Sequence, residues 1–573
     1  MKIRDIIPVA MEERKPHKVV KNARVVNVFT GKVEHTNIAF FRKRIAGIGD
    51  YTSADEVIDV EGMYVLPGFI DAHLHIESSM LIPRQFARAV LLRGTTTVVA
   101  DPHEIANVMG VEGIEYMLNS TEGIPLNVYI GLPSAVPATR FETSGASIGA
   151  DEVIFLLDRY PKRIIALGEV MNYPGVLNRE RELITMIEIS RHRYKKIDGH
   201  APGLSGKALN GYVSAFIRSD HECTSRDEAL EKVARGMQVF IREGSAAKNL
   251  EELVQAVEPM NHYFFSFCTD DRDPLDILYE GHIDYLVKKS IEMGVDPVIA
   301  VRMATINTAR YYNLRSMGAI APGYKADLVV VDDLRKMNIK MVIKDGRVVV
   351  RDGKLLDPVE GVYREEPDRM GDIRLPYVSE QDLVVKANNG KIRVIEVLEG
   401  SIFTNTLITE PKVENGVVLP DEKRDIAKIA VFNRYGGDNF TVGFVKGLGI
   451  KRGAIGTSVG HDAHNVCVAG MNDRDMIIAL RRIEELNGGM VVVCNGRVVA
   501  ELALPIAGLM SKRELFEVVE VLKKVRVALG DLGTHREIFM TLSFVQLAVI
   551  PQLRITDKGL VDVNAQEFVG LFA

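Results

Sequence analysis

The amino-acid sequence predicts an α/β protein built on a TIM-like (β/α)8 barrel. A small β-rich domain drawn from both flanks of the barrel and a C-terminal α+β domain complete it. Three observations carry this prediction. Residues 63–317 alternate eight short apolar runs with helix-like segments. A β texture at 17–62 returns at 318–356, as if one small sheet had been split by an insertion. Residues 366–573 then mix capped helices with a hairpin signal. The expected domains are therefore 1–62 with 318–365, 63–317, and 366–573.

Residues 17–62 contain "VVKNARVVNVFTGKVEHTNIAFFRKRIAGIGD", where β-branched and aromatic residues alternate with polar ones and Gly and Asn punctuate. Within the insertion the candidate strands end at "GFIDAHLH", "TTTVVADPHE", "LNVYIGLPS", "RIIALGEV", "KIDGH", "FIRSDHE", "MQVFIREGS" and "FFSFCTDD". Helical patterns lie between most of them. "TSRDEALEKVARGM" carries a capping box of Ser225 with Glu228, and "NRERELITMIEISRHRY" has apolar residues at helical spacing. Eight strands with intervening helices in one unit of this size fit a closed barrel. A doubly wound open sheet would predict a Gly-rich phosphate loop after its first strand, and none is there. In the second flank, Asp345-Gly346 within "MVIKDGRVVVRDGK" is a hairpin turn signal. In the C-terminal region "NDRDMIIALRRIEELNGG" reads as a helix with a Gly C-cap, "VVVCNGRVV" as a hairpin on Asn495-Gly496, and "SKRELFEVVEVLKKV" as a helix capped by Ser511 with Glu514.

Composition narrows the class. Apolar residues at 47% and charged residues at 26% over 573 residues are ordinary for a soluble globular chain. The net charge is −6 and no Lys/Arg-rich block gives a nucleic-acid footprint. Cys223, Cys268, Cys467 and Cys494 are far apart and form no C-x-x-C pair. That argues against a disulfide framework or a thiolate zinc site and suits a reducing cytoplasm. The N-terminus is charged without a long apolar core, so no signal peptide is expected, and no apolar run approaches membrane-spanning length.

The chemistry is concentrated where the apolar runs stop. In a (β/α)8 barrel the active site lies at the C-terminal ends of the strands. The polar residues there are His73 and His75, then Asp101, His103 and Glu104, then Glu169, His200, His221 and Asp270. A strand has a side-chain period of two, so His73 and His75 point the same way and can share one metal ion. Glu169 and Asp270 each follow an apolar run, and a carboxylate in a barrel mouth is costly unless it is paired or binds a cation. Imidazole and carboxylate ligands suit Zn, Mn or Fe(II) rather than Ca. Such a set can hold two ions about 3.5–4 Å apart that share a hydroxide of lowered pKa. Asp270 would then take up the hydroxide proton.

At this point a resemblance enters. "LPGFIDAHLHIES" resembles the opening metal motif of the amidohydrolase superfamily, and "APGYKADLVVVDD" with the split β domain resembles its flanks. Within that superfamily "DPHEIANVMG", "LGEVMN", "DGHAPG", "SDHE", "REGSA", "CTDD" and the C-terminal "GTSVGHDAHN" resemble the adenine deaminase family, from about residue 16 to the end. The resemblance implies hydrolysis of adenine to hypoxanthine and ammonia, as in purine salvage, at a binuclear Mn or Fe(II) centre. It implies that His73, His75 and Asp270 ligate one ion, His200 and His221 the other, and that Glu169 bridges them where many relatives use a carbamylated lysine. Substrate and water are the expected partners, with no nucleic acid and no membrane, in a homo-oligomer for which a dimer is favoured.

Further roles follow from the chemistry. Ring N1 of the purine needs a proton when hydroxide adds to C6, and Glu104 is the expected donor. That role calls for a raised pKa, through burial or the neighbouring Asp101. His103 is expected to orient the nucleophile or leaving group, and Arg242 and Ser245 to contact the ring nitrogens. His461, Asp462, His464 and Asn465 form a second cluster that could reach over the barrel mouth, bind an extra metal, or knot the fold. His75-Ile76-Glu77 fits the H-x-E of cytidine-type deaminases, but the accompanying P-C-x-x-C is missing. The alternatives are another amidohydrolase such as an N-acetyl-sugar deacetylase, and a non-catalytic purine-binding relative.

Overall fold

The computed structural model describes residues 2–356, 359, 366–398, 401–534 and 538–573. The domain border expected at residue 365 falls outside the described residues. Eight short strands form the barrel: β1 (Phe69–Leu74), β2 (Thr95–Ala100), β3 (Asn127–Leu132), β4 (Ile164–Val170), β5 (Lys196–Gly199), β6 (Ser219–Asp220), β7 (Gln238–Arg242) and β8 (Phe265–Cys268). β1 to β5 pair in order as one parallel sheet and β6 to β8 as another. Arg218 N donates to Ile197 O at 3.0 Å across the β5–β6 seam. At the β8–β1 seam Asp270 N donates to His73 O at 3.1 Å and His75 N to Asp270 O at 3.3 Å. Both seams are thus closed by backbone bonds, which leaves the barrel without an exposed edge. The strands read as apolar runs because both faces are covered: every residue of β1, β2 and β7 is buried.

Before the barrel, Lys18–Asn27 pairs in parallel with Tyr64–Pro67, which pairs antiparallel with Leu328–Val331. Strands from either side of the barrel therefore share one nine-stranded sheet. Asp345 (φ 51°) and Gly346 (φ 76°) make the tight turn between Ile339–Lys344 and Arg347–Arg351, as their pairing in sequence predicts. Asn495 (φ 54°) and Gly496 (φ 75°) do the same between Gly489–Cys494 and Arg497–Ala503.

After the barrel, an eight-stranded, mostly antiparallel sheet is backed by the helix Asp473–Glu485. Met476, Ala479, Leu480 and Ile483, one face at helical spacing, pack on Val491, Val493 and Phe432. A longer helix, Leu515–Leu532, lies between this region and the barrel: Leu515 N donates to Gln85 Oε1 at 3.1 Å. No helix among the described residues is long and apolar enough to cross a membrane.

Three capping expectations are corrected. Ser225 Oγ accepts from Glu228 N, but the Glu228 carboxylate accepts from Thr224 N (3.0 Å) and pairs with Lys232 (2.7 Å) instead of returning to Ser225. The helix ending at Glu485 is closed by Asn487 in the left-handed region (φ 55°), with Gly488 N donating to Ile483 O at 2.9 Å. Ser511 does not cap the helix; its hydroxyl accepts from Arg513 N at 3.3 Å, before the helix begins. Its N–H is held by Met80 O (2.8 Å) in a bridge to the barrel, so the helix starts only at Leu515, with Glu514 as N-cap and Glu517 completing the box.

Candidate metal centre

The histidines and carboxylates expected at the strand ends converge at the barrel mouth. His73 lies in β1 and His75 just past it, both facing inward two residues apart. Glu169 lies in β4, His200 directly after β5 and His221 directly after β6. Asp270 follows β8 in a left-handed conformation (φ 57°), held there by its backbone bonds to β1. All six are buried.

Their arrangement divides at Glu169. Its Oε1 faces the first pair, 3.7 Å from His73 Nε2 and 3.4 Å from His75 Nε2. Its Oε2 faces the second pair, 2.6 Å from His200 Nδ1 and 3.2 Å from His221 Nε2. Asp270 sides with the first pair: Oδ1 lies 3.5 Å from His73 Nε2 and 3.1 Å from His75 Nε2, while Oδ2 accepts from Arg242 at 2.9 Å. Ligand-capable atoms of His73, His75 and Glu169 lie within 4.8 Å of one another, and so do those of Glu169, His200 and His221.

The donor set fits divalent ions. His75 Nδ1 lies 2.9 Å from Asp101 O, which fixes the tautomer and leaves the Nε2 lone pair facing the site. His73 Nε2 is buried with no hydrogen-bond partner. Burial alone would raise the carboxyl of Glu169, yet His221, His103 and His200 hold it well below the usual range. Asp270 likewise overcomes burial through His73, His75 and the Arg242 guanidinium. His221 is pushed up to about 9: burial opposes this, and Glu169 outweighs burial. Two ionised carboxylates converging with four imidazole nitrogens, of which His73 Nε2 has no hydrogen-bond partner, are a donor set that a divalent cation can use.

The remaining predicted residues separate into those that reach the mouth and those that do not. Asp101 does not line the cavity. Its Oδ2 accepts from Glu169 N (3.0 Å) and its Oδ1 from His103 N (3.1 Å), so it orients its neighbours instead of meeting a substrate. His103 spans the two clusters, with Nδ1 3.3 Å from Glu169 Oε1 and Nε2 3.7 Å from Asp462 Oδ1. Glu104 lines the cavity, but the raised pKa expected for it is overturned. Burial would raise it, and His461, His464 and His103 together hold it well below the ordinary range. Arg242 lines the cavity with its guanidinium committed to Glu222 and Asp270, not free for a ring nitrogen. Ser245 is turned away: its hydroxyl donates to Asp276 (2.6 Å) and accepts from Asp273 N (3.0 Å).

The C-terminal cluster does two things at once. His461 and His464 both contact Glu104, while Asn465 Nδ2 ties the turn to Thr143 O (2.9 Å) and Asp557 Oδ1 (3.1 Å). Sequence reasoning missed the rest of the enclosure: Met171 and Glu222 from the barrel, and Ile402, Phe544, Leu547 and Ile550 from the C-terminal region. Glu222 adjoins His221 in "SDHE" and was within reach of the motif. The apolar four carry no local signal. The cavity they line is partly open and measures about 40 Å³, room for a few waters, so a larger substrate requires the apolar cover to shift. A wider cleft of about 770 Å³ near Lys18, Arg42 and Arg347, on the flanking sheet, contains none of the predicted site residues.

The profile of the amidohydrolase family matches residues 64–349, and that of the adenine deaminase C-terminal domain matches residues 401–567. An adenine deaminase of Thermosipho africanus (strain TCF52B) is 59% identical over 573 residues, covering 100% of both chains. One of Methanothrix thermoacetophila is 46% identical over 574 residues, again covering 100% of both. Among solved structures, a β-aspartyl dipeptidase of Fervidobacterium islandicum AW-1 aligns at 18% identity and a TM-score of 0.45, over 60% of this chain and 99% of that one.

Proposed function

The chain belongs to the adenine deaminases of the amidohydrolase family, and on that premise we propose how its residues carry the reaction. Adenine and water become hypoxanthine and ammonia. The water oxygen ends on C6, one of its hydrogens on N1, and the other leaves with the amino nitrogen.

Divalent ions belong to this family's chemistry, and the donor set here suits them. In this reading His73, His75 and Asp270 would hold one ion and His200 and His221 the other, with Glu169 shared between them. The histidine and carboxylate donors suit Zn, Mn or Fe(II) alike, and it is the family resemblance that favours Mn or Fe(II). Two such ions supply positive charge that acidifies water and stabilises oxygen-centred negative charge. Asp270 receives a proton from the attacking water and hands it to the departing amino group; Arg242, itself neutralised by Glu222, keeps its carboxylate aimed. Glu104 serves ring N1. Asp101 and His103 keep Glu169 and Glu104 in register. Ile402, Phe544, Leu547 and Ile550 form an apolar cover that suits a planar heterocycle and excludes bulk water.

The observation that carries this reading is the split of Glu169, one oxygen to each histidine pair. Its test is ammonia release from a panel of purines with metal analysis of the same sample. Adenine should turn over in samples holding about two ions per chain; full activity at one ion or fewer would sink the two-ion assignment. We extend the proposal to a cytoplasmic setting and purine salvage, which the four unpaired cysteines suit. A homodimer, checked by light scattering, and the division into split β domain, barrel and C-terminal domain complete it.

A further inference from the structure

Glu104 sits in the first turn of the short helix His103–Met109, buried at the barrel mouth. Both of its carboxylate oxygens meet histidines from the C-terminal region. Oε1 lies 2.5 Å from His461 Nδ1, and Oε2 contacts His464 Nε2. These histidines belong to one turn, between the strands Ala454–Thr457 and Val466–Gly470. The turn is braced. His464 N donates to Gly460 O at 2.7 Å, His461 N donates to Ser543 Oγ at 3.1 Å, and Asn465 anchors it to the barrel.

The two imidazoles are not equivalent. Gly460 N donates to His464 Nδ1 at 3.1 Å. A ring nitrogen that accepts carries no hydrogen, so the His464 proton is on Nε2, the atom against Glu104 Oε2. Burial keeps His464 below its ordinary value, so the ring stays in this one neutral tautomer, with Nε2 against Glu104 Oε2 at contact distance but outside hydrogen-bond geometry. His461 is under no such constraint. It lines the cavity, its ring stacks on Phe544 (5.0 Å between centroids), and its Nε2 lies 3.9 Å from Asp271 Oδ2. Burial pulls His461 down, but Glu104 and Asp271 outweigh it and push it up to about 9. The charged groups around Glu104 are His103 on its own helix, Glu77 after β1, Asp271 after β8, and His461, Asp462 and His464 on the turn.

Building on the reading that Glu104 serves purine N1, we infer that the acid is a Glu104–His461 pair, with the proton stored on His461 Nδ1 and passed through Glu104 Oε1. His464 is the positioning residue that keeps the carboxylate in place for the transfer. The pair loses one proton to N1 as the water oxygen adds to C6 and regains one when the C6 hydroxyl becomes the carbonyl, the other hydrogen of that water leaving with the amino nitrogen through Asp270, so it returns to its starting state each turnover. The C-terminal region is thereby part of the catalytic machinery.

The test uses the full-length, metal-loaded protein and four variants, His461→Gln, His464→Gln, His464→Leu and Glu104→Gln, with kcat and KM followed against pH and metal content measured on each. His461→Gln should lower kcat about 10²-fold at little change in KM, with the metal content of the parent. Its alkaline limb of kcat should move to lower pH, because a lone carboxylate gives up its proton earlier than one sharing it with imidazole. His464→Leu should lower kcat, and His464→Gln, which keeps a donor towards Oε2, should recover most of that loss. An unmoved alkaline limb in His461→Gln would overturn the inference. So would a third ion in the parent that His461→Gln loses, since the cluster would then be a cation site. Active Glu104→Gln would instead refute the role of Glu104 on which the inference rests, which keeps the two failures distinguishable.

Discussion

The barrel holds two buried polar layers on the same strands, one residue pair apart. Asp71 lies two residues before His73 on β1, and Asp198 two residues before His200 on β5. In the deeper layer the carboxylates are satisfied. Asp198 accepts from Ser219 (2.7 Å), Tyr311 (2.8 Å) and Tyr312 (2.8 Å); Asp71 accepts from Thr269 Oγ1 (2.7 Å), Thr269 N (3.2 Å) and His73 N (3.2 Å). In the upper layer His73 Nε2, His103 Nδ1, both Glu104 carboxylate oxygens, His461 Nε2, Asp462 Oδ2 and His464 Nε2 are buried without a partner in hydrogen-bond geometry. Both layers are buried and built around carboxylates, the deeper one with hydroxyl partners and the upper one with imidazoles. What differs is completeness: a closed network rigidifies the barrel, whereas an open one has capacity left for a cation and a substrate.

The largest expected effect breaks the upper layer at its centre. Glu169→Ala removes the carboxylate that places one oxygen against each histidine pair. Activity should fall by about 10⁴-fold or more, with most of the bound metal lost; near-parent turnover would make the upper layer merely structural. Asp270→Asn is gentler, keeping the shape and the contact to Arg242 while weakening the acceptor. We expect kcat lower by about 10²–10⁴-fold with the fold intact, read by steady-state kinetics beside circular dichroism.

Much of this contrast was legible in the sequence, and the reason is geometric. Strand periodicity places His73 and His75 on one face, and apolar runs ending in His or Glu mark the mouth whatever the tertiary details. What escaped depends on residues that only folding brings together. Glu104 reads as a candidate for a raised pKa as long as Asp101 is its visible neighbour; the histidines that reverse the shift lie at 461 and 464. Phe544 and Ile402 look like any core residues until the C-terminal region closes over the barrel. Ser511 has the chemistry of a cap, but its bridge to Leu81 prevents the helix from starting there.

The deeper layer should respond to pH through stability instead of rate. Burial, against hydrogen bonds from Ser219, Tyr311 and Tyr312, pushes Asp198 up from 3.8 to about 6. The folded chain therefore keeps this proton at pH values where the unfolded chain has lost it. The corresponding stability is complete below about pH 4 and disappears as pH rises through about 6, amounting to about 3 kcal/mol. Urea midpoints of the metal-free protein should show that slope, and Asp198→Asn should flatten it. Tyr312→Phe, which removes one donor to the same carboxylate, should cost about 1–3 kcal/mol and leave kcat of the metal-loaded enzyme within about twofold. A large loss of kcat in either variant would erase the distinction between the layers.

The smallest expected effect marks where the upper layer ends. Ser245 follows β7 three residues after Arg242, and proximity in sequence suggests a shared role at the mouth. The turn sends its hydroxyl the other way, to Asp276 Oδ2 at 2.6 Å and Asp273 N at 3.0 Å, where it braces the start of the helix Pro274–Tyr279. Ser245→Ala should therefore behave as a floor residue does, lowering stability by about 1 kcal/mol through the lost hydrogen bonds. Its kcat/KM for adenine should stay within about twofold, a barrier change under about 0.5 kcal/mol. A rise in KM of tenfold or more without loss of stability would mean that the substrate reaches this turn once the apolar cover has shifted, and the site would extend further along β7 than the cavity lining indicates.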